Sequence, residues 1–331
     1  MKTSIITLGL FIFLCGCQSS TESLRASAAD SAPLAAAPPP QLDPVEAKRY
    51  NDMVSDFVDK HLSERYFNGG ILVAKNGVVV YERYTGFSNL RTKDSMTAET
   101  SLQVASTGKT LTSGAILKLV QEGKMGLDDL VTKFFPGFPY PEVTVKMLLN
   151  HRSGLPNYLY YMEKMGWNKK QTATNEDVIN TLIQWKPSQA YRPGTRYNYC
   201  NTNYVVLASI VEKVSGQSFP QYMKEQFFVP LGMNNSFVKT QGDSASVVYS
   251  YQANGALWPP DFTDGPYGDK NIYSTPRDLL KWDQALRTDS LFTKQSLDAA
   301  YMPYSFEKPG THNYGLGWRM YLLKNGKKLI Y

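Results

Sequence analysis

A serine and a lysine three residues apart share one face of an α-helix, and Ser106-Thr107-Gly108-Lys109 places such a pair where an apolar helical run begins. A hydroxyl held against an amine makes an activated nucleophile, which neither group is alone. The same Ser-x-x-Lys spacing occurs at Ser236/Lys239 and Ser305/Lys308. The first of these follows Pro230-Leu231-Gly232-Met233 in a loop, and the second lies in a polar turn before Pro309-Gly310, so both read as solvated surface pairs. Ser106 differs because a helix N-terminus carries unpaired N–H groups and a positive dipole end, which favour a developing oxyanion. A lysine serves as a base near neutral pH only where its surroundings disfavour the charged form, and burial on a helix can do that.

A phosphate-binding reading of Gly108-Lys109-Thr110 fails, because that loop needs glycine five residues before Gly108 and this chain has Gln103. The second candidate is Tyr199-Cys200-Asn201. Its phenol could relay a proton to a leaving group, and its amide could orient lysine and substrate. Tyr66-Phe67-Asn68 repeats the pattern, but Tyr199 alone sits between a Pro193-Gly194 turn and a helix expected near Asn203. On pattern alone, relay and structural tyrosine both stay open. Cys200 has no histidine at a recognisable spacing, which argues against a thiolate nucleophile. His61, His151 and His312 lack metal-ligand spacing, so neither a metal nor another cofactor is expected. Tyr158, Tyr160, Tyr161 and Trp258 are candidates for an apolar acyl site, with ordinary packing as the alternative.

These residues need a scaffold. The chain has 331 residues, 42% hydrophobic and 19% charged, enough for a sizeable core. Its net charge of +6 comes from scattered rather than clustered basic residues, which argues against nucleic acid as a partner. Asp43-Pro44-Val45-Glu46 orders a cap, a first-turn proline and an N3 glutamate, and Tyr50, Met53, Val54, Phe57 and Val58 follow at helical spacing. Asn76-Gly77 between two β-rich runs, 71–74 and 78–84, predicts a hairpin. Leu111, Ala115, Ile116, Leu119 and Val120 make an apolar stripe that Gly123 would cap, and residues 204–215 form a second helix ending at Gly216. Residues 110–235 and 275–300 read as mostly helical, whereas 71–84, 314–323 and 328–331 read as strands. The expected fold is therefore α+β, an α/β sandwich. An antiparallel sheet from both chain ends is flanked by helices, with a mostly helical lobe inserted.

The first segment reads as a targeting signal. Lys2 precedes an apolar run from Ile5 to Gly16, too short to span a bilayer. Leu14-Cys15-Gly16-Cys17 resembles the lipobox of bacterial lipoproteins, which implies cleavage before Cys17 and acylation of Cys17. A plain secretory signal is the alternative. The expected organisation is a signal peptide over 1–16, a lipid-anchored Ser/Ala/Pro-rich tether over 17–42, and a folded domain over 43–331. The expected location is the bacterial cell envelope, facing the periplasm or the outer surface. With Cys15 removed and Cys17 acylated, Cys200 is the sole free thiol and no intramolecular disulfide can form.

Three stretches carry a family resemblance: Gln103-Val104-Ala105-Ser106-Thr107-Gly108-Lys109, Leu148-Leu149-Asn150-His151-Arg152-Ser153-Gly154-Leu155-Pro156, and Pro193-Gly194-Thr195-Arg196-Tyr197-Asn198-Tyr199-Cys200-Asn201. With Pro230-Leu231-Gly232-Met233 and Tyr314-Gly315-Leu316-Gly317-Trp318, they resemble the serine β-lactamase and penicillin-binding-protein superfamily. The similarity is strongest to its branch of class C β-lactamases, DD-peptidases and esterases. The resemblance implies Ser106 as the acylated nucleophile, Lys109 as its base partner, Tyr199 as proton relay and Asn201 as substrate-amide ligand. It also implies the Ser106 N–H as one oxyanion donor, a structural His151, and Cys200 in place of the usual serine. The implied substrate is a small molecule or peptidoglycan-type compound (a β-lactam, a D-Ala-D-Ala peptide or a small ester), handled by a monomer. The family's third motif, Lys-Thr-Gly or His-x-Gly, belongs on a strand that begins at Lys327–Tyr331, so a C-terminally truncated domain with an incomplete sheet is expected. A catalytically silent, lipid-anchored binding protein on the same fold is the alternative.

Overall fold

The computed structural model describes residues 41–62, 67–243, 247–288, 290–307 and 310–331. The expected signal peptide, Cys17 and nearly all of the tether lie outside the described residues, as do Tyr66 and Lys308. The N-terminal part comprises α1 (Pro44–His61), β1 (Gly69–Lys75), β2 (Val78–Thr85), β3 (Phe87–Asn89), β4 (Asp94–Ser95) and β5 (Leu102–Gln103). The middle is helical: α2 (Gly108–Gln121), α3 (Val145–Leu149), α4 (Tyr158–Lys164), α5 (Asn175–Trp185), α6 (Thr202–Ser215) and α7 (Phe219–Met223). It is followed by β6 (Phe237–Val238), β7 (Ile272–Ser274), α8 (Pro276–Ala285), α9 (Lys294–Ala300), β8 (His312–Tyr314), β9 (Arg319–Leu322) and β10 (Lys328–Ile330).

Local chemistry sets several boundaries where the sequence predicts them. The Asp43 carboxylate accepts the Val45 and Glu46 N–H groups and starts α1. Gly216 ends α6, its N–H bonding the Glu212 carbonyl. The expected apolar stripe of α1 is different: only Val58 is buried, while Met53 and Phe57 are 62% and 59% exposed. That helix lies on β2, with the Asn51 side chain donating to the Val80 carbonyl and Asp59 pairing with Arg83; Tyr50 and Val54 are half-buried there, whereas Met53 and Phe57 face away.

The core is built on α2 and α6, which pack against each other, with α3, α5 and α7 around α6. Leu111, Ala115, Ile116 and Leu119 of α2 are fully buried, as are Tyr204 to Ala208 of α6. Burial of that kind contributes about 1.5–3 kcal/mol for each large apolar side chain. Antiparallel strands do come from both chain ends, and they are distributed over separate ladders. The β1–β2 hairpin, with Gly69 opposite Thr85, is one; β10–β9–β8, with Ile330 opposite Met320 and Asn313 opposite Met320, is another. β1 packs on α8 rather than pairing with the C-terminal strands. A third ladder, β5–β7–β6, is not anticipated from the sequence and joins three segments far apart in the chain. No helix among the described residues is long and apolar enough to cross a membrane.

Candidate active site

The unanticipated ladder aims the candidate nucleophile. Gln103 of β5 lies opposite Tyr273 of β7, and the Val104 N–H continues the pairing to the Ile272 carbonyl. Ala105 then takes a left-handed backbone, φ +46°, rare for a residue with a side chain and costing about 1–3 kcal/mol. A single 3₁₀ turn over Ala105–Thr107 follows, and α2 begins at Gly108, two residues later than the sequence predicts. The sharp strand-to-helix reversal leaves Ser106 exposed, with Lys109 one turn deeper and only 1% exposed.

The lysine is held on two sides. Its Nζ lies 3.1 Å from Ser106 Oγ and donates to the Asp269 carbonyl at 2.6 Å. It also sits 5.1 Å from the centroid of the Tyr199 ring and 5.5 Å from that of Tyr204. The amine is fixed by two oxygens and flanked by two aromatic faces. The structure thus brings Ser106, Lys109 and Tyr199 together. Asn201, two residues on, is the N-cap of α6, and its side chain makes no cap bond there.

Sequence reasoning missed Asp269, whose carbonyl holds the lysine. The strap carrying it, 264–271, runs across α2 and α6 and is tied at each step. Asn175 bonds both the N–H and the carbonyl of Tyr267, and Thr112 Oγ1 donates to the Gly268 carbonyl at 2.8 Å. Gln103 Nε2 donates to Asn271 Oδ1 at 2.7 Å. The Asp269 carboxyl is itself buried. Oδ2 accepts from the Tyr158 phenol at 3.0 Å, and Oδ1 has no partner among the described residues. Burial pushes this carboxyl upward, with the Lys270 and Lys109 cations opposing. Tyr158 therefore belongs to the interior, and Tyr161 is buried with it. For these two, packing is the alternative that the structure fits. Tyr160 is 72% exposed, and Trp258, 63% exposed, borders a cavity of about 730 Å³ that reaches Gln103, Lys270 and Tyr273.

Tyr199 is seated by the turn before it. Gly194 N–H donates to the Arg152 carbonyl at 2.8 Å, and Arg152 Nη2 donates back to the Gly194 carbonyl at 2.7 Å. His151 is fully buried beside Tyr199, at 4.3 Å between ring centroids. Its imidazole is held well below the usual histidine range, first by burial and then by the nearby Lys109 and Arg319 cations. Cys200 is buried, donates through Sγ to the Leu155 carbonyl at 3.3 Å, and has its thiol pushed up to about 11 by burial. A thiol so placed is inert. Of the other Ser-x-x-Lys pairs, Ser236 is partly buried rather than solvated, bonding Ser274 and Asp278 instead of its lysine. Ser305 is tied by its backbone N–H and carbonyl to the Asn313 side chain.

The chain matches the profile of the Beta-lactamase family over residues 52–330. It is 33% identical over 274 residues to penicillin-binding protein 4* of Bacillus subtilis, covering 78% of this chain and 60% of that protein. A D-aminopeptidase of Cereibacter sphaeroides is 29% identical over 257 residues, covering 75% and 49%. The chain thus spans about half to three-fifths of these relatives' length. Among solved structures, the octameric penicillin-binding protein homologue from Pyrococcus abyssi superposes with a TM-score of 0.71 at 32% identity, covering 84% of this chain and 67% of that one. The D-amino acid amidase from Ochrobactrum anthropi shares the fold at 23% identity, with a TM-score of 0.65 and coverage of 85% and 83%.

Proposed function

This chain belongs to the Beta-lactamase family, and on that footing we propose that it is a serine hydrolase working through an acyl-enzyme on Ser106. One observation carries the reading: an exposed serine hydroxyl 3.1 Å from the Nζ of a lysine that is itself buried. In this scheme Ser106 Oγ attacks the acyl carbon while its proton passes to Lys109. The Ser106 N–H, in the 3₁₀ turn that leads into α2, faces the oxyanion as it forms. Tyr199, beside Lys109, returns the proton to the leaving group, and Asn201 holds the acyl-side amide. Water then releases the acyl group by the same path in reverse.

The substrate class is an amide or ester with a peptide-like acyl portion: a β-lactam, a D-Ala-D-Ala peptide or a small ester. Support comes from the relatives named as penicillin-binding protein and D-aminopeptidase. A fluorescent penicillin or a fluorophosphonate should label the wild-type chain and leave Ser106→Ala unlabelled. Comparing turnover of a chromogenic cephalosporin with that of a p-nitrophenyl ester then separates the subclasses. In the same experiment, tethering through an acylated Cys17 predicts that labelled wild type partitions into detergent and Cys17→Ala into the aqueous phase. Absence of labelling by both probes would sink the hydrolase reading and favour a silent binding protein on this fold.

A further inference from the structure

We propose that His151 is a positioning residue for Tyr199, gripping the backbone on both sides of the tyrosine and bracing its ring; the inference rests on the hydrolase reading above. Three contacts converge. The Asn198 N–H donates to the His151 carbonyl at 2.8 Å, the Cys200 N–H donates to His151 Nδ1 at 3.2 Å, and the imidazole lies 4.3 Å from the Tyr199 ring at an interplanar angle of 40°. One residue thus holds the Asn198 N–H through its backbone carbonyl, the Cys200 N–H of the peptide that follows the tyrosine through its side chain, and one side of the Tyr199 ring environment.

His151 is itself fixed. It follows α3 in the left-handed conformation, φ +58°, where the Arg152 N–H closes back onto the Met147 carbonyl at 2.8 Å. Such a helix end is commonly glycine, and a histidine there accepts backbone strain. The strain has a use, because it carries the imidazole to the Cys200 N–H. Asn203 adds a second N–H toward Nδ1, at 3.3 Å, and is held by Ser153 Oγ at 2.6 Å and by the Leu148 carbonyl at 3.1 Å. Two donors directed at Nδ1 require a lone pair there, which places the imidazole proton on Nε2. Nε2 is buried and has no partner among the described residues, so His151 exchanges no proton with substrate. Its contacts go to the Tyr199 turn, to Asn203 and to the aromatic rings of Tyr197, Tyr204 and Tyr314.

The position of Tyr199 matters because its ring lies 5.1 Å from Lys109 Nζ. A misplacement of about 1 Å in a reacting group costs roughly 10²-fold in rate. Without the imidazole, the Cys200 N–H loses its acceptor beside the tyrosine, and the turn keeps the Cys200 Sγ bond to the Leu155 carbonyl and the contacts of Tyr314 and Arg319 with the Tyr199 ring.

The test compares His151→Asn with His151→Gln in the full chain, in wild-type and Tyr199→Phe backgrounds. Asparagine tolerates the left-handed backbone, and its Oδ1 falls where Nδ1 does; glutamine carries its oxygen one carbon farther. With a p-nitrophenyl ester or chromogenic cephalosporin, kcat should fall roughly 10²-fold for His151→Gln and less than about tenfold for His151→Asn, with KM little changed in either. In the Tyr199→Phe background the difference between the two variants should vanish. NOEs between the Tyr199 ring and the Lys109 methylenes should persist in His151→Asn and disappear in His151→Gln. Equal kcat for both variants with unchanged NOEs, or a difference that survives in Tyr199→Phe, overturns the positioning role. A wild-type chain that fails to label at Ser106 overturns the hydrolase reading instead, and the NOE comparison still decides the clamp.

Discussion

At the scale of single residues, the site concentrates polar groups that water would rather keep. Lys109, His151 and Asp269 are all buried, and the last two each retain an atom without a partner among the described residues. His151 makes this visible in acid. Its native imidazole resists protonation, whereas the unfolded ring takes a proton near its ordinary value of about 6.5. The unfolded state therefore binds more protons below that pH, and stability is lost as pH falls. Asp269 works in the opposite sense, since a raised native value means acidification favours the folded state, but it is common to wild type and His151→Asn and cancels in their comparison. Between pH 7.5 and 5.5, wild type should lose about 1.4 kcal/mol more stability than His151→Asn, read from urea midpoints at the two pH values. Parallel losses in the two proteins would place the acid sensitivity elsewhere.

At the scale of elements, the site depends on a strap that sequence patterns do not reveal. The helices were legible because α2 and α6 keep the 3.6-residue apolar period over 14 residues each. The Asn76-Gly77 hairpin was legible from its turn. Strands β5 and β6, two residues each, are too short to carry any period, and β7 is only three. Their pairing, which sets the strand-to-helix reversal before Ser106, is a long-range property. Asp269 was invisible for a related reason: it holds Lys109 through a backbone carbonyl, which every residue has. The α1 stripe failed differently, because periodicity shows that a face is apolar, not that anything covers it. The strap gives a sharp prediction at Gly268. A Cβ there would lie 2.4 Å from the Tyr204 carbonyl oxygen and 2.6 Å from Ala208 Cβ, with φ at +97°. Gly268→Ala must push the strap off α6 and carry the Asp269 carbonyl away from Lys109. Labelling of Ser106 by fluorophosphonate should slow roughly 10²-fold in this variant. The control is Gly123→Ala, also at positive φ but facing open space, which should cost about 1 kcal/mol of stability and leave the labelling rate of folded protein intact. Equal labelling rates in both variants would detach the strap from lysine placement.

At the scale of the whole molecule, an apolar core offsets a site that is locally unfavourable. Leu111, Ala115, Ile116 and Leu119 are buried on the same helix that carries Lys109, so the helix stays in place although one of its buried positions is a lysine. Replacing that lysine by methionine keeps the length and flexibility of the side chain and removes its charged end. Two effects oppose each other. Removing a buried amine relieves the cost of keeping a polar group out of water, about 2–4 kcal/mol, while the Asp269 carbonyl, left without its donor, costs about 1–3 kcal/mol. The aromatic faces of Tyr199 and Tyr204 accept a thioether readily, so no cavity is opened. Relief should win by about 1 kcal/mol, raising Tm by roughly 2 °C for a domain of this size, while acylation of Ser106 falls by about 10²–10⁴. Thermal unfolding monitored by tryptophan fluorescence, to which buried Trp282 and Trp318 contribute, beside labelling of the same samples, reads both. A variant that loses stability together with activity would show that Lys109 holds this region together as well as serving its chemistry.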